Sequence, residues 1–170
     1  MDFQKDLIAE FDSETAKTRK MLDAIPADAD WNYKPHAKSM SLGRLAGHLT
    51  DFAGEWTMST LTKDRVEFGP DMKWEPYVPA SKQALLEKFD KELAASRAAL
   101  VGTTGDAWER NWQFLWAGTA YINDAKHKVF RGTVMNHMIH HRAQLSVYLR
   151  LMGAKVPGVY GPSADEMPGA

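Results

Sequence analysis

Apolar side chains recur every three or four positions along four stretches of the chain, the spacing of a single helix face. The first, over about residues 2–24, aligns Phe3, Leu7, Phe11, Thr18, Leu22 and Ile25, and Pro26 stops it. The second starts after Ser41, a natural N-cap, and carries Leu42, Leu45, Leu49, Phe52 and Trp56 towards about Leu61. The third opens at Ser81 and aligns Leu85, Phe89, Leu93, Ser96 and Leu100 before Gly102. The fourth, from about Gly132 to Met152, repeats Val134, Met138, His141, Leu145, Tyr148 and Met152 on one side, with Gly153 as its C-terminal stop.

The connections carry a different pattern. Residues 26–40 are irregular and contain Trp31, Tyr33 and Pro35, while residues 62–80, with Gly69, Pro70, Trp74, Pro76 and Pro79, read as a long packed loop. Trp112-Gln113-Phe114-Leu115-Trp116 and Thr119-Ala120-Tyr121-Ile122 flank Ala117-Gly118, which predicts a short β-hairpin. The Gly- and Pro-rich segment 157–162 is expected to fold back over the helices. Trp31, Trp74, Trp108, Trp112 and Trp116 all fall in connections, where they are expected to cover ends and edges. These elements predict an all-α fold, a four-helix bundle with long connections and a short β-hairpin before the last helix. At 170 residues, one domain over 1–170 is expected.

Composition narrows the function. A net charge of −1 offers no basic field for phosphate backbones, which disfavours a nucleic-acid partner. No apolar run reaches the roughly 18 residues of a membrane span, and the first residues lack a signal-peptide pattern, so a cytoplasmic location is expected. The chain has no cysteine. A metal would have to be held by imidazole and oxygen, and thiol chemistry would need a thiol from outside.

The candidate chemistry lies in the fourth stretch. His137 and His141 are four residues apart, so their rings project from one helix face. His48 sits at the edge of the second stripe. Together they form a two-helix, three-imidazole candidate site with one coordination position left open. Zinc, nickel and iron all suit imidazole, so ligand type does not choose among them. No Glu-x-x-His pair occurs, which argues against a dinuclear carboxylate site. His140 points about 100° from His141 and is read as lying outside the cluster. His36 and His127 fall in loop-like segments. Asp51 and Glu55, one and two turns beyond His48, are weaker candidates for acid–base or supporting roles, as are Arg142 and Tyr160. Arg142 follows a ligand position directly and suits either a structural salt bridge or a substrate carboxylate.

The stretch 41–48, Ser-Leu-Gly-Arg-Leu-Ala-Gly-His, and the stretch 136–145, Asn-His-Met-Ile-His-His-Arg-Ala-Gln-Leu, resemble the DinB/YfiT-like superfamily, which is unrelated to the DNA polymerase of that name. The likeness extends over nearly the whole chain, including the tail 156–166. Ala143 departs from the glycine common at that position and is compatible with a helix. The resemblance implies a four-helix bundle, one divalent metal ion per chain on His48, His137 and His141, and a homodimer. Related proteins include transferases and isomerases that use bacillithiol, mycothiol or glutathione. The function expected is therefore a metal-dependent thiol S-transferase acting on a small-molecule substrate with an external low-molecular-weight thiol. A metal-dependent hydrolase and a non-enzymatic metal-binding stress-response protein are the alternatives.

Overall fold

The computed structural model describes residues 3–73, 75–167 and 169. Trp74, expected to cover an edge, lies outside the described residues. Among the described residues, six α-helical segments and three strands run in the order α1 (Phe3–Asp23), α2 (Leu42–Asp51), α3 (Thr57–Thr62), β1 (Arg65–Phe68), α4 (Lys82–Gly102), β2 (Asn111–Trp116), β3 (Thr119–Ala125), α5 (Lys126–Val129) and α6 (Asn136–Leu151). A π-helical turn, Phe52–Trp56, joins α2 to α3. A second, Phe130–Met135, joins α5 to α6. A short 3₁₀ turn, Gly105–Trp108, follows α4.

The apolar stripes find each other. Helix α1 packs on α4 and α6, and α2 packs on α4 and α6. Leu7, Phe11 and Leu22 of α1, Leu45 and Leu49 of α2, Phe89 and Leu100 of α4, and Met138, Leu145 and Leu149 of α6 are all buried in one cluster. Burying side chains of this size stabilises by about 1.5–3 kcal/mol each, so the stripes supply most of the drive to fold. The caps work as their residue types predict. Ser41 Oγ accepts from the Arg44 N–H at 3.2 Å, and Ser81 Oγ accepts from the Ala84 N–H at 3.1 Å. Gly153, at φ 74°, ends the last helix in the left-handed region that favours glycine.

Helix dominates, but the fold is not strictly all-α. Strands β1, β2 and β3 form a three-stranded sheet in that order. The β2–β3 hairpin turns at Ala117 (φ 47°) and Gly118 (φ 79°), both positive as a type I′ turn requires. Strand β1 is a departure from the expected loop over 62–80. It pairs in parallel with β2, Arg65 opposite Gln113 through Phe68 opposite Trp116. Four residues are too few for an alternation signal, and the partner strand is distant in sequence.

The two π turns are the other departure. Residues 42–61 are not one regular helix, and the last helical stretch begins at Lys126 rather than near Gly132. Thr57 Oγ1 donates to the Phe52 carbonyl at 2.7 Å, satisfying a group that the widened turn releases. Ser96 Oγ of α4 donates to the Gly54 carbonyl at 3.2 Å. The turns pack against each other, one just after His48 and the other just before His137.

The tail does return over the helices. Arg150 holds Asp165 through two hydrogen bonds of 2.9 and 2.7 Å, and the Val156 N–H donates to the same carboxylate. Among the described residues, no helix is long and apolar enough to cross a membrane.

Candidate metal centre

His48 on α2 and His137 and His141 on α6 meet where these two helices pack. Each offers a ring nitrogen, and the three nitrogens lie within 4.8 Å of one another. Ring centroids are 5.4 Å apart for His48–His137 and 4.6 Å for both His48–His141 and His137–His141. His141 is buried, while His48 and His137 are half-buried. Three imidazoles this close could share one ion.

Their protonation suits that role. Burial, followed by the charge of neighbouring imidazoles, lowers the pKa of His137 to about 4. Burial likewise lowers His141 to about 4, against a smaller opposing effect of its hydrogen bond to Gln144. Both rings are therefore neutral at pH 7, the form that ligates.

The surroundings set the ring orientations. His141 Nδ1 is 2.7 Å from Gln144 Oε1. An amide oxygen only accepts, so the proton sits on Nδ1 and Nε2 keeps its lone pair. Phe52 stacks on His137 at 4.1 Å between centroids and an interplanar angle of 20°. Trp56 stacks on Phe52 in turn, at 5.7 Å and 12°. The wide π turn keeps positions 52 and 56 aligned. These rings wall one side of the cluster and link it to the sheet, where Trp56 meets Trp112 and Phe114.

The other sequence candidates separate into distinct places. Asp51 is buried beside His48, with Oδ2 3.9 Å from the His48 Nδ1 and 3.5 Å from Arg44 Nη1. Glu55 is exposed on the π turn. Arg142 is 2% exposed and pairs with Glu14 at 2.6 Å. It also donates to the Glu14 carbonyl, to Thr18 Oγ1 and to Tyr160 OH. Tyr160 OH donates to the same Glu14 carboxylate at 2.7 Å. Burial pushes the Glu14 carboxyl up, but hydrogen bonds from Lys17, Tyr160 and Arg142 outweigh it and hold the group below the usual range. Arg142 and Tyr160 thus tie α6 and the tail to α1.

His140 is exposed on α6 and outside the three-nitrogen group. His127 lies in α5 rather than in a loop, and its Nδ1 is 3.1 Å from the Trp108 carbonyl. Trp108 and Trp112 are buried and donate to the carbonyls of Thr103 and Ser59, so they serve as interior packing rather than edge cover. Sequence reasoning missed Glu14 and Gln144. Glu14 left a signal: it is three residues from Phe11 and four from Thr18, a charge inside an apolar stripe. Gln144 lies three residues after His141, the spacing of neighbours on a helix.

The DinB family model matches residues 1–169. The chain belongs to the DinB family. It is 27% identical over 159 residues to the uncharacterised protein YrdA of Bacillus subtilis strain 168, covering 90% of this chain and 85% of that one. Among solved structures, a DinB-like protein of Bacillus cereus ATCC 10987 superposes with a TM-score of 0.68 at 25% identity, covering 92% of this chain and 97% of that chain. The DinB-like protein YjoA of Bacillus subtilis shares the fold with a TM-score of 0.66 at 20% identity, over 91% and 97% of the two chains. The histidine cluster is compatible with metal binding in a DinB protein, and the converging imidazoles fit a divalent ion.

Proposed function

We propose that this DinB protein is a mononuclear metal-dependent thiol S-transferase, with His48, His137 and His141 as ligands of one zinc, nickel or iron ion per chain. The scaffold is a four-helix bundle of one domain over 1–170, working as a cytoplasmic homodimer. The observation that carries this reading is the convergence of three imidazoles in a chain that supplies no thiol of its own.

A divalent ion held there supplies the positive charge that lowers the pKa of an external thiol towards neutrality. The chain's own residues prepare the place. Gln144 holds the His141 ring in the tautomer that leaves Nε2 free. Phe52 covers a face of His137 and keeps water from it. Arg142, Glu14 and Tyr160 fix α6 against α1 and so hold the ligand helix in place. Glu55, exposed on the π turn, remains free to meet a small-molecule substrate at the rim.

Zinc-, nickel- and iron-loaded protein incubated with bacillithiol, mycothiol or glutathione and monochlorobimane should form the thioether adduct. His137→Ala should lose that activity together with its metal. Absence of conjugation with every pairing of metal and thiol would overturn the transferase. Ester hydrolysis without thiol would identify a hydrolase instead.

A further inference from the structure

Asp51 is 7% exposed, and its Oδ2 is buried without a well-formed hydrogen bond. A buried carboxylate oxygen left in this state is costly and calls for an account. Its neighbours are Arg44 Nη1 at 3.5 Å and His48 Nδ1 at 3.9 Å. Arg44 Nη2 lies 3.4 Å from the same His48 nitrogen.

A guanidinium only donates, so with Arg44 facing it the His48 Nδ1 is an acceptor and the ring proton sits on Nε2. That tautomer has no lone pair on Nε2. At His141 the situation is the reverse: Gln144 keeps the proton on Nδ1. For Nε2 of His48 to serve as a ligand, the ring proton must sit on Nδ1, where it needs an acceptor. Asp51 Oδ2 is the acceptor in place, and a small turn of either side chain closes the gap.

Resting on the metal reading above, we infer that Asp51 is the positioning residue of the centre, taking the Nδ1–H of His48 and holding the ring in its ligating tautomer. The proton moves from Nε2 to Nδ1, so none is gained or lost. The i,i+3 spacing of His48 and Asp51 on α2 keeps the pair on one helix face. Arg44, whose Nη1 lies 3.5 Å from Asp51 Oδ2, faces the carboxylate with its positive charge from two turns earlier on the same helix.

Zinc titration against a chromophoric chelator tests this, with Asp51→Ala and the near-isosteric Asp51→Asn beside the wild type. Zinc affinity should fall by about 10–100-fold in Asp51→Ala and by less in Asp51→Asn, whose amide oxygen still accepts. Long-range ¹H–¹⁵N NMR of the zinc-loaded wild type should place the His48 ring proton on Nδ1. Equal zinc affinity in all three proteins, or a His48 proton on Nε2 in the zinc-loaded form, would overturn the role of Asp51. A wild type that binds no zinc, nickel or iron would overturn the metal reading itself.

Discussion

Gln144 Oε1 lies 2.7 Å from His141 Nδ1, one turn along α6, and determines which nitrogen of the ring carries the proton. Gln144 is exposed, so its side chain contributes to the ring's orientation without filling the core. Gln144→Leu is expected to weaken zinc binding by about tenfold, as loss of an outer hydrogen bond to a ligating histidine does. The metal-free thermal midpoint should not change. Chelator competition and a melting curve measure the two separately, and an unchanged zinc affinity would remove Gln144 from the centre.

The pH dependence of the metal-free protein follows from the same rings. His137 and His141 have folded pKa values of about 4, against about 6.5 in an unfolded chain. Between these values the unfolded chain binds more protons, so stability falls as pH drops from about 6.5 towards 4 and the loss from these groups levels off below that. Urea midpoints of chelator-treated protein at pH 7.5, 6, 5 and 4.5 should show this slope. His137→Leu with His141→Leu should flatten it, and an unflattened slope would place its origin elsewhere.

The pair of Glu14 and Arg142 is buried on both sides. Arg142→Leu strands the Glu14 carboxylate, leaving Lys17 and Tyr160 among the described residues to hold it. Breaking a buried pair from one side costs about 3–5 kcal/mol. Tyr160→Phe removes one hydroxyl shared by both partners and should cost about 1 kcal/mol. Denaturant unfolding checks the order, and the prediction fails if the tyrosine change is the more damaging.

A Cβ at Gly47 would overlap the carbonyl oxygen of Tyr77, where the connection before α4 crosses α2. Backbone cannot swing aside as a long side chain can. Gly47→Ala should therefore destabilise by about 1–3 kcal/mol, the usual cost of overpacking. Because His48 is the next residue, zinc affinity should fall with it. Gly132→Ala meets no heavy atom within 4 Å and serves as the control. Equal thermal midpoints for the two variants would contradict the crossing.

Helix positions were legible because packing in water imposes a 3.6-residue period, and the stripes through Leu45, Phe89 and Leu145 carry it without interruption. The β2–β3 hairpin was legible from its local turn residues. Strand β1 was not, because its partner is remote and four residues hold no period. The π turns were hidden for a related reason: one extra residue per turn leaves spacings of three and four intact, and His48, Phe52 and Trp56 look the same on a regular helix.

The sequence by itself determined the helix stripes, the caps at Ser41 and Ser81, and the His137–His141 pair, because each depends on residues a turn or two apart. Tertiary structure alone decided that His48 meets that pair and that Arg142 faces Glu14. Those contacts depend on how α1, α2 and α6 rotate and approach one another. The summed burial of the whole core determines that arrangement, and no local spacing encodes it.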